Sequence, residues 1–255
     1  MNYKLVAILI LLQTNFILAG YDDPFYDYRG ANPFREDHPF QHEERFDPFT
    51  GNIHIIYTDV YLPGNGGLDL RIVRVYNSSI RRYYYGIWQF VPDSWVGLGW
   101  SLHMGRLVCP SYPEYKYLEM TDGSKHTFYS DKNNAGQWIS KEYLILKKTA
   151  IGYEVLFTNG VKWTFNDNIY GHISEEGGPI PYYPTKIISD PVGNQIRIFY
   201  DKINDQPLIE KIIDSCNRQV NFGYDTTGAM NLNYIEVRGQ YIDIIMRILL
   251  MVTRF

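Results

Sequence analysis

From residue 50 onward the chain is written in short runs in which apolar and polar residues alternate, broken by Gly, Asn, Asp and Pro. A period of two residues sends successive side chains to opposite faces, the pattern of half-buried strands. "IHIIYTDVYL", "PGNGG" and "LDLRIVRVY" read as strand, turn and strand, with Leu68, Leu70 and Ile72 in step. "YKYLEM", "TDGS" and "KHTFY" read as a hairpin closed by a tight primed turn at Asp122-Gly123. "YEVLF", "TNG" and "VKWTF" read as a second, turning at Asn159-Gly160. There Tyr153, Val155 and Phe157 are expected on one face, as are Val161, Trp163 and Phe165. No helix-length window before residue 240 carries a helical stripe, so the predicted fold is all-β, an array of antiparallel β-hairpins.

One phrase occurs twice. "DPVGNQIRIFYD" (190–201) returns 24 residues later as "DSCNRQVNFGYD" (214–225). The shared frame pairs Asp190 with Asp214, Gly193 with Asn217, Asn194 with Arg218, Tyr200 with Tyr224 and Asp201 with Asp225. Ile196 and Ile198 correspond to Val220 and Phe222, alternate positions expected to point inward. Gly193 and Asn217 fall where a turn needs positive φ. A fixed period of this size marks stacked units, each burying its face against its neighbours.

Composition sharpens this picture. Aromatic residues make up 16% of the chain, with 23 Tyr, which favours pleated surfaces over helices. Residues 1–20 carry Lys4 and an apolar run from Leu5 to Leu12, and read as a signal peptide cleaved near Ala19 or Gly20. The apolar run is short for a membrane anchor, so the mature chain is expected to have no stable membrane span and to be secreted or held at the cell surface. Residues 21–49 repeat Pro-Phe four times among eight acids and three arginines, and read as an acidic linker. Those charges leave the remaining body neutral, with no basic stripe for nucleic acid or anionic membrane. Cys109 and Cys216 leave two readings open, a disulfide or two separate buried thiols.

These residues resemble the RHS/YD-repeat proteins, and the likeness extends beyond the repeats. "FDPFTGNIHIIYTDVYLPGNGGLDLRIVRVYNS" (46–78) is similar to the opening module of that family, and "GLGWSLHMGRL" (97–107) to its G-x-G-W-S motif. "YLEMTDGSKHTFY" and "NGVKWTF" resemble the hairpins that precede its first YD repeat. The resemblance implies residues 50–184 as an N-terminal β-rich RHS-type module and 185–237 as two YD repeats, the start of an RHS/YD-repeat β-shell. By family such shells are associated with toxin encapsulation or cell-surface competition. The implied role is a non-enzymatic scaffold segment without cofactors, partnered by further YD repeats of the same or another chain. Residues 238–255 depart from the pattern. They read as an atypical tail, either a truncated or frame-shifted end or a capping element, leaving an open strand edge at residues 214–237.

Candidate chemistry is sparse. Ser101 and His103 lie two apart, on one face if in a strand, but position 103 is not the Gly of a nucleophile elbow, and packing around Trp100 is the preferred reading. His38 and His42 have helical ligand spacing within a Pro-containing linker, without a third ligand. The series Asp190, Asp201, Asp214, Asp225 recurs with the repeat and reads as turn-forming rather than catalytic or calcium-binding. "NSS" at Asn77 matches a glycosylation acceptor. Tyr83, Tyr84, Tyr85 and Trp88 are candidate aromatic contacts for a glycan or cell-surface protein. They support the alternative of a secreted β-rich binding module.

Overall fold

The structure, a computed structural model, describes residues 43–48, 50–84, 87–90, 95–110, 115–166, 171–175, 178–203, 206–225 and 231–243. The signal-peptide, His38/His42 and Tyr85 readings lie outside these residues, as do nearly all of the linker and the tail beyond Asp243. The described residues form twenty strands and no α-helix, and every strand pairing is antiparallel. The all-β array of hairpins is what the structure shows.

The first sheet orders β1 (Glu43–Phe46), β2 (Ile53–Leu62), β3 (Leu70–Asn77) and β6 (Trp100–Ser101). A separate two-stranded ribbon joins β4 (Arg81–Tyr84) to β5 (Ile87–Phe90). The large sheet begins with β7 (Arg106–Val108), β8 (Lys116–Glu119), β9 (Lys125–Ser130), β10 (Gln137–Ser140), β11 (Ile145–Thr149), β12 (Gly152–Leu156) and β13 (Lys162–Asn166), each paired with the next. β14 (Gly171–Glu175) pairs with the long strand β15 (Gly178–Ser189). β15 also pairs with β7 through Tyr182–Pro184 and with β13 through Thr185–Ser189, which closes an eight-stranded circuit. From β15 the array continues through β16 (Gln195–Ile203), β17 (Gln206–Ile213), β18 (Gln219–Tyr224), β19 (Leu232–Val237) and β20 (Gln240–Asp243). The hairpin β19–β20 covers the strand edge expected to be open at 214–237, and β20 is the last described strand. It turns at Arg238-Gly239, both with positive φ, on a two-residue loop.

Period-two alternation builds the core. Leu107, Leu118, Phe128, Leu146, Val155 and Phe165 from the circuit join Ile196, Ile198, Ile209, Ile212, Val220 and Phe222 from the repeats in one buried cluster. β3 departs from alternation, because Ile72, Val73, Arg74 and Val75 are all buried. The strand is therefore covered on both faces, and Arg74 enters the interior. Its Nε donates to Asp59 Oδ2 at 2.6 Å and its Nη2 to Asp59 Oδ1 at 2.9 Å, a bidentate pair sealed from water. The guanidinium also faces the rings of Tyr57 at 5.5 Å and Trp100 at 5.2 Å. Trp100 in turn lies 5.3 Å from Tyr76. Three stretches distant in sequence, "TD", "RVY" and "GW", thus meet around one buried charge.

Breaking a buried pair strands its partner's charge, at a cost of about 3–5 kcal/mol. Arg74→Met is expected to destabilise the chain by that amount in urea unfolding, with Asp59→Leu/Arg74→Met recovering most of the loss. A single-variant cost below about 1 kcal/mol, the size of an exposed pair, would contradict this role.

Candidate functional site

Of the repeated residues, Asp190, Gly193, Asn194, Asp214, Asn217 and Arg218 lie at hairpin turns. Five hairpins turn in the same way. The first turn residue donates its N–H to the carbonyl four residues on, and the fourth donates back to the carbonyl of the first. The first residues are Met120, Ser140, Phe157, Asp190 and Asp214; the fourth are Gly123, Tyr143, Gly160, Gly193 and Asn217, all at positive φ. This is a three-residue loop with a left-handed corner. At Asp122-Gly123 it replaces the expected primed turn, because Gly123 alone of the loop residues has positive φ.

In the repeats a side chain completes the turn. Asp190 Oδ1 accepts from the N–H groups of Val192 at 3.0 Å and Asn194 at 2.8 Å. Asp214 Oδ1 accepts from Cys216 at 3.0 Å and Arg218 at 2.7 Å. The second carboxylate oxygens take the side chains of Asn194, at 2.7 Å, and Arg218, at 2.5 Å. Ser140 Oγ plays the first part in the circuit, accepting from Glu142 and Leu144, each at 3.2 Å. Burial opposes ionisation of Asp190, but Asn194 and the turn N–H groups together hold its carboxyl below the usual range.

The tyrosines repeat their role as faithfully. Tyr200 OH donates to the carbonyl of Thr185 and Tyr224 OH to that of Ile209, each at 2.8 Å and each fifteen residues back. A β-bulge falls at Phe199/Tyr200 and again at Gly223/Tyr224. Burial raises both hydroxyl pKa values, keeping them neutral donors. Asp201 and Asp225 are exposed.

The β2–β3 loop docks on these turns. Asn65 N–H donates to Ser215 Oγ at 2.9 Å, its Nδ2 to Ser215 O at 3.0 Å, and Asn194 Nδ2 to Asn65 O at 3.4 Å. Arg218 Nη2 donates to Pro63 O, and Ser215 Oγ to Leu68 O at 3.1 Å. Nearby, Leu232 N–H donates to Trp95 O at 2.6 Å, and Trp95 and Tyr224 rings lie 5.5 Å apart. The "LPGNGG" loop therefore staples two successive repeat turns. No local signal marks this contact in the sequence.

The other candidates separate. Ser101 Oγ donates to Val75 O at 3.5 Å, whereas His103 Nδ1 accepts from Gly105 N–H at 3.1 Å and its Nε2 faces Glu119, so the two engage different partners. Cys109 and Cys216 are both free; Cys216 is exposed rather than buried, with Sγ 3.4 Å from Asn65 Oδ1. Burial pushes the Cys109 thiol up to about 11. Tyr83 pairs with Trp88, and Tyr84 with Ile87, across the β4–β5 ribbon; the side chains there lie outside the described set. Asn77 Oδ1 accepts from Ser79 N–H at 2.9 Å. Among the described residues no cluster of His, Cys, Asp and Glu could hold a metal ion, and no helix is long and apolar enough to cross a membrane.

The fold is an antiparallel array of β-hairpins with an eight-stranded closed circuit. No family model matches the chain, and no curated protein matches it. Among solved structures, it is similar to a chain of the Photorhabdus luminescens Tc holotoxin pore, at 12% identity and a TM-score of 0.45 over 84% of its length. It is also similar to the N-terminal domain of effector protein SpvB from Salmonella typhimurium strain LT2, at 12% identity and a TM-score of 0.35 over 70% of its length. The chain spans 13% of the first and 71% of the second. These are distant likenesses, and the chain's own geometry carries its functional reading.

Removing a hydroxyl that serves a buried carbonyl costs about 1–3 kcal/mol. Tyr200→Phe and Tyr224→Phe are each expected to lose an amount in that range, equal to one another within about 0.5 kcal/mol, in urea unfolding. A loss confined to one of the two would show that they are not equivalent.

Proposed function

We propose that the chain is a non-enzymatic, exported scaffold segment that contributes β-hairpins to a larger RHS/YD-type shell, secreted or held at the cell surface. The carrying observation is that the two tyrosines, 24 residues apart in sequence, make the same bond to a carbonyl fifteen residues back. The two aspartates likewise build the same turn. Residues with a catalytic flavour are spent on structure: the repeated carboxylates accept from their own backbone, and Ser101 and His103 serve separate contacts. Such a unit can be repeated, since each face it buries is offered by the unit before it. In this reading the further partners are additional repeats of the same kind, and toxin carriage or cell-surface competition is the role of the completed shell.

The test is modularity. A second copy of residues 214–237 inserted after Val237 extends the array without touching the stapled turns. The enlarged chain is expected to fold, and its urea m-value to rise with the added buried surface. An unchanged m-value, with the insert exchanging its amides freely, would contradict the scaffold reading. So would turnover by the parent chain on broad esterase or glycosidase panels.

A further inference from the structure

The circuit closes where β15 changes partners, between Pro184, paired with β7, and Thr185, paired with β13. Gly105 sits at that crossing. Its carbonyl accepts from Thr185 N–H and Oγ1, each at 3.0 Å. Its φ is +85°, and a Cβ there would lie 2.2 Å from Trp163 Cζ3 on β13. Its own N–H is donated to His103 Nδ1 at 3.1 Å. Because Nδ1 accepts, the proton of the neutral imidazole is on Nε2, toward Glu119 Oε1 at 3.7 Å. The charged groups facing the ring are Glu119 on β8, Arg106 on β7 and Asp122 in the β8–β9 turn. Glu119 is already engaged by Arg106 Nε at 2.9 Å, and Asp122 Oδ1 by Ser124 N–H and Oγ.

We propose that His103 is an acid-sensitive latch on the closure of the circuit: its neutral imidazole holds Gly105 at the β7–β15–β13 crossing, and protonation at Nδ1 releases it. Protonation turns Nδ1 from acceptor to donor, so that two N–H groups then face each other. The same step adds a second cation beside Arg106 in a site holding one buried carboxylate, Glu119. Burial, partly offset by Glu119 and reinforced by Arg106, holds the His103 pKa below its usual 6.5. The unfolded chain therefore takes the proton first. The His103 contribution to stability is complete above pH 6.5 and is lost as the pH falls from there to the folded-state pKa. Each unit of depression raises the unfolding equilibrium constant about tenfold in acid.

Urea unfolding of the full chain between about pH 7.5 and about pH 5, for wild type and His103→Asn, reads this directly. Asn Oδ1 can accept the same N–H two residues on without titrating. Every other group is common to both chains and cancels in the comparison. The wild type is expected to lose more stability in acid than the variant, seen as a larger rise of its unfolding constant between the two pH values. Equal pH dependence would overturn the latch. Should the variant not fold, NMR titration of the wild type decides. Gly105 and Thr185 amide shifts that follow the His103 ring uphold the latch, and shifts that ignore it overturn it.

Discussion

A sheet built from short hairpins must find partners for its backbone N–H groups at every turn, and this requirement organises the whole array. Five turns meet it in one way, with two backbone bonds and a left-handed corner. In the repeats a carboxylate at the first position takes two further N–H groups, leaving the turn satisfied and rigid. Rigid turns fix strand register, and register decides which side chains face inward. Ile196 and Ile198 in one unit, and Val220 and Phe222 in the next, reach the same core for this reason.

The satisfied turns also become a surface. Asp190 and Asp214 present Asn194, Ser215 and Arg218 in an ordered row, and the 62–68 loop lies across them through Pro63, Asn65 and Leu68. The loop is held at its other end by Asp69, whose Oδ1 accepts from Gly64 N–H and whose Oδ2 accepts from Tyr61 OH, both at 2.7 Å. The buried Asp59–Arg74 pair sits on the same two strands, β2 and β3, and binds them to Trp100. The β2–β3 hairpin and the turns at 190–194 and 214–218 are thereby joined through side chains that neither hairpin needs for its own strand pairing.

Much of this was legible in the sequence, for physical reasons. Period-two alternation, and Gly193 and Asn217 at turn positions, are local signals, and they gave the all-β fold and the hairpins. Asp122-Gly123 suits both a two-residue primed turn and a three-residue loop, so the dipeptide alone does not choose between them. Ser140 was missed as a turn builder because it stands where the repeats have Asp, and Tyr143 because a bulky residue at positive φ is uncommon. The burial of Arg74 and Asp59 has no local signal, because it comes from β3 being covered on both faces. The staple was illegible, since it joins Asn65 to Ser215 across most of the chain.

Native-state hydrogen exchange on the amides of Val192, Asn194, Cys216 and Arg218 tests most directly whether the two phrases form equivalent, stapled turns. All four are expected to be strongly protected and to open together with the core strands. Exchange of either turn at the rate of a free loop, while the core stays closed, would contradict that equivalence and the staple built on it.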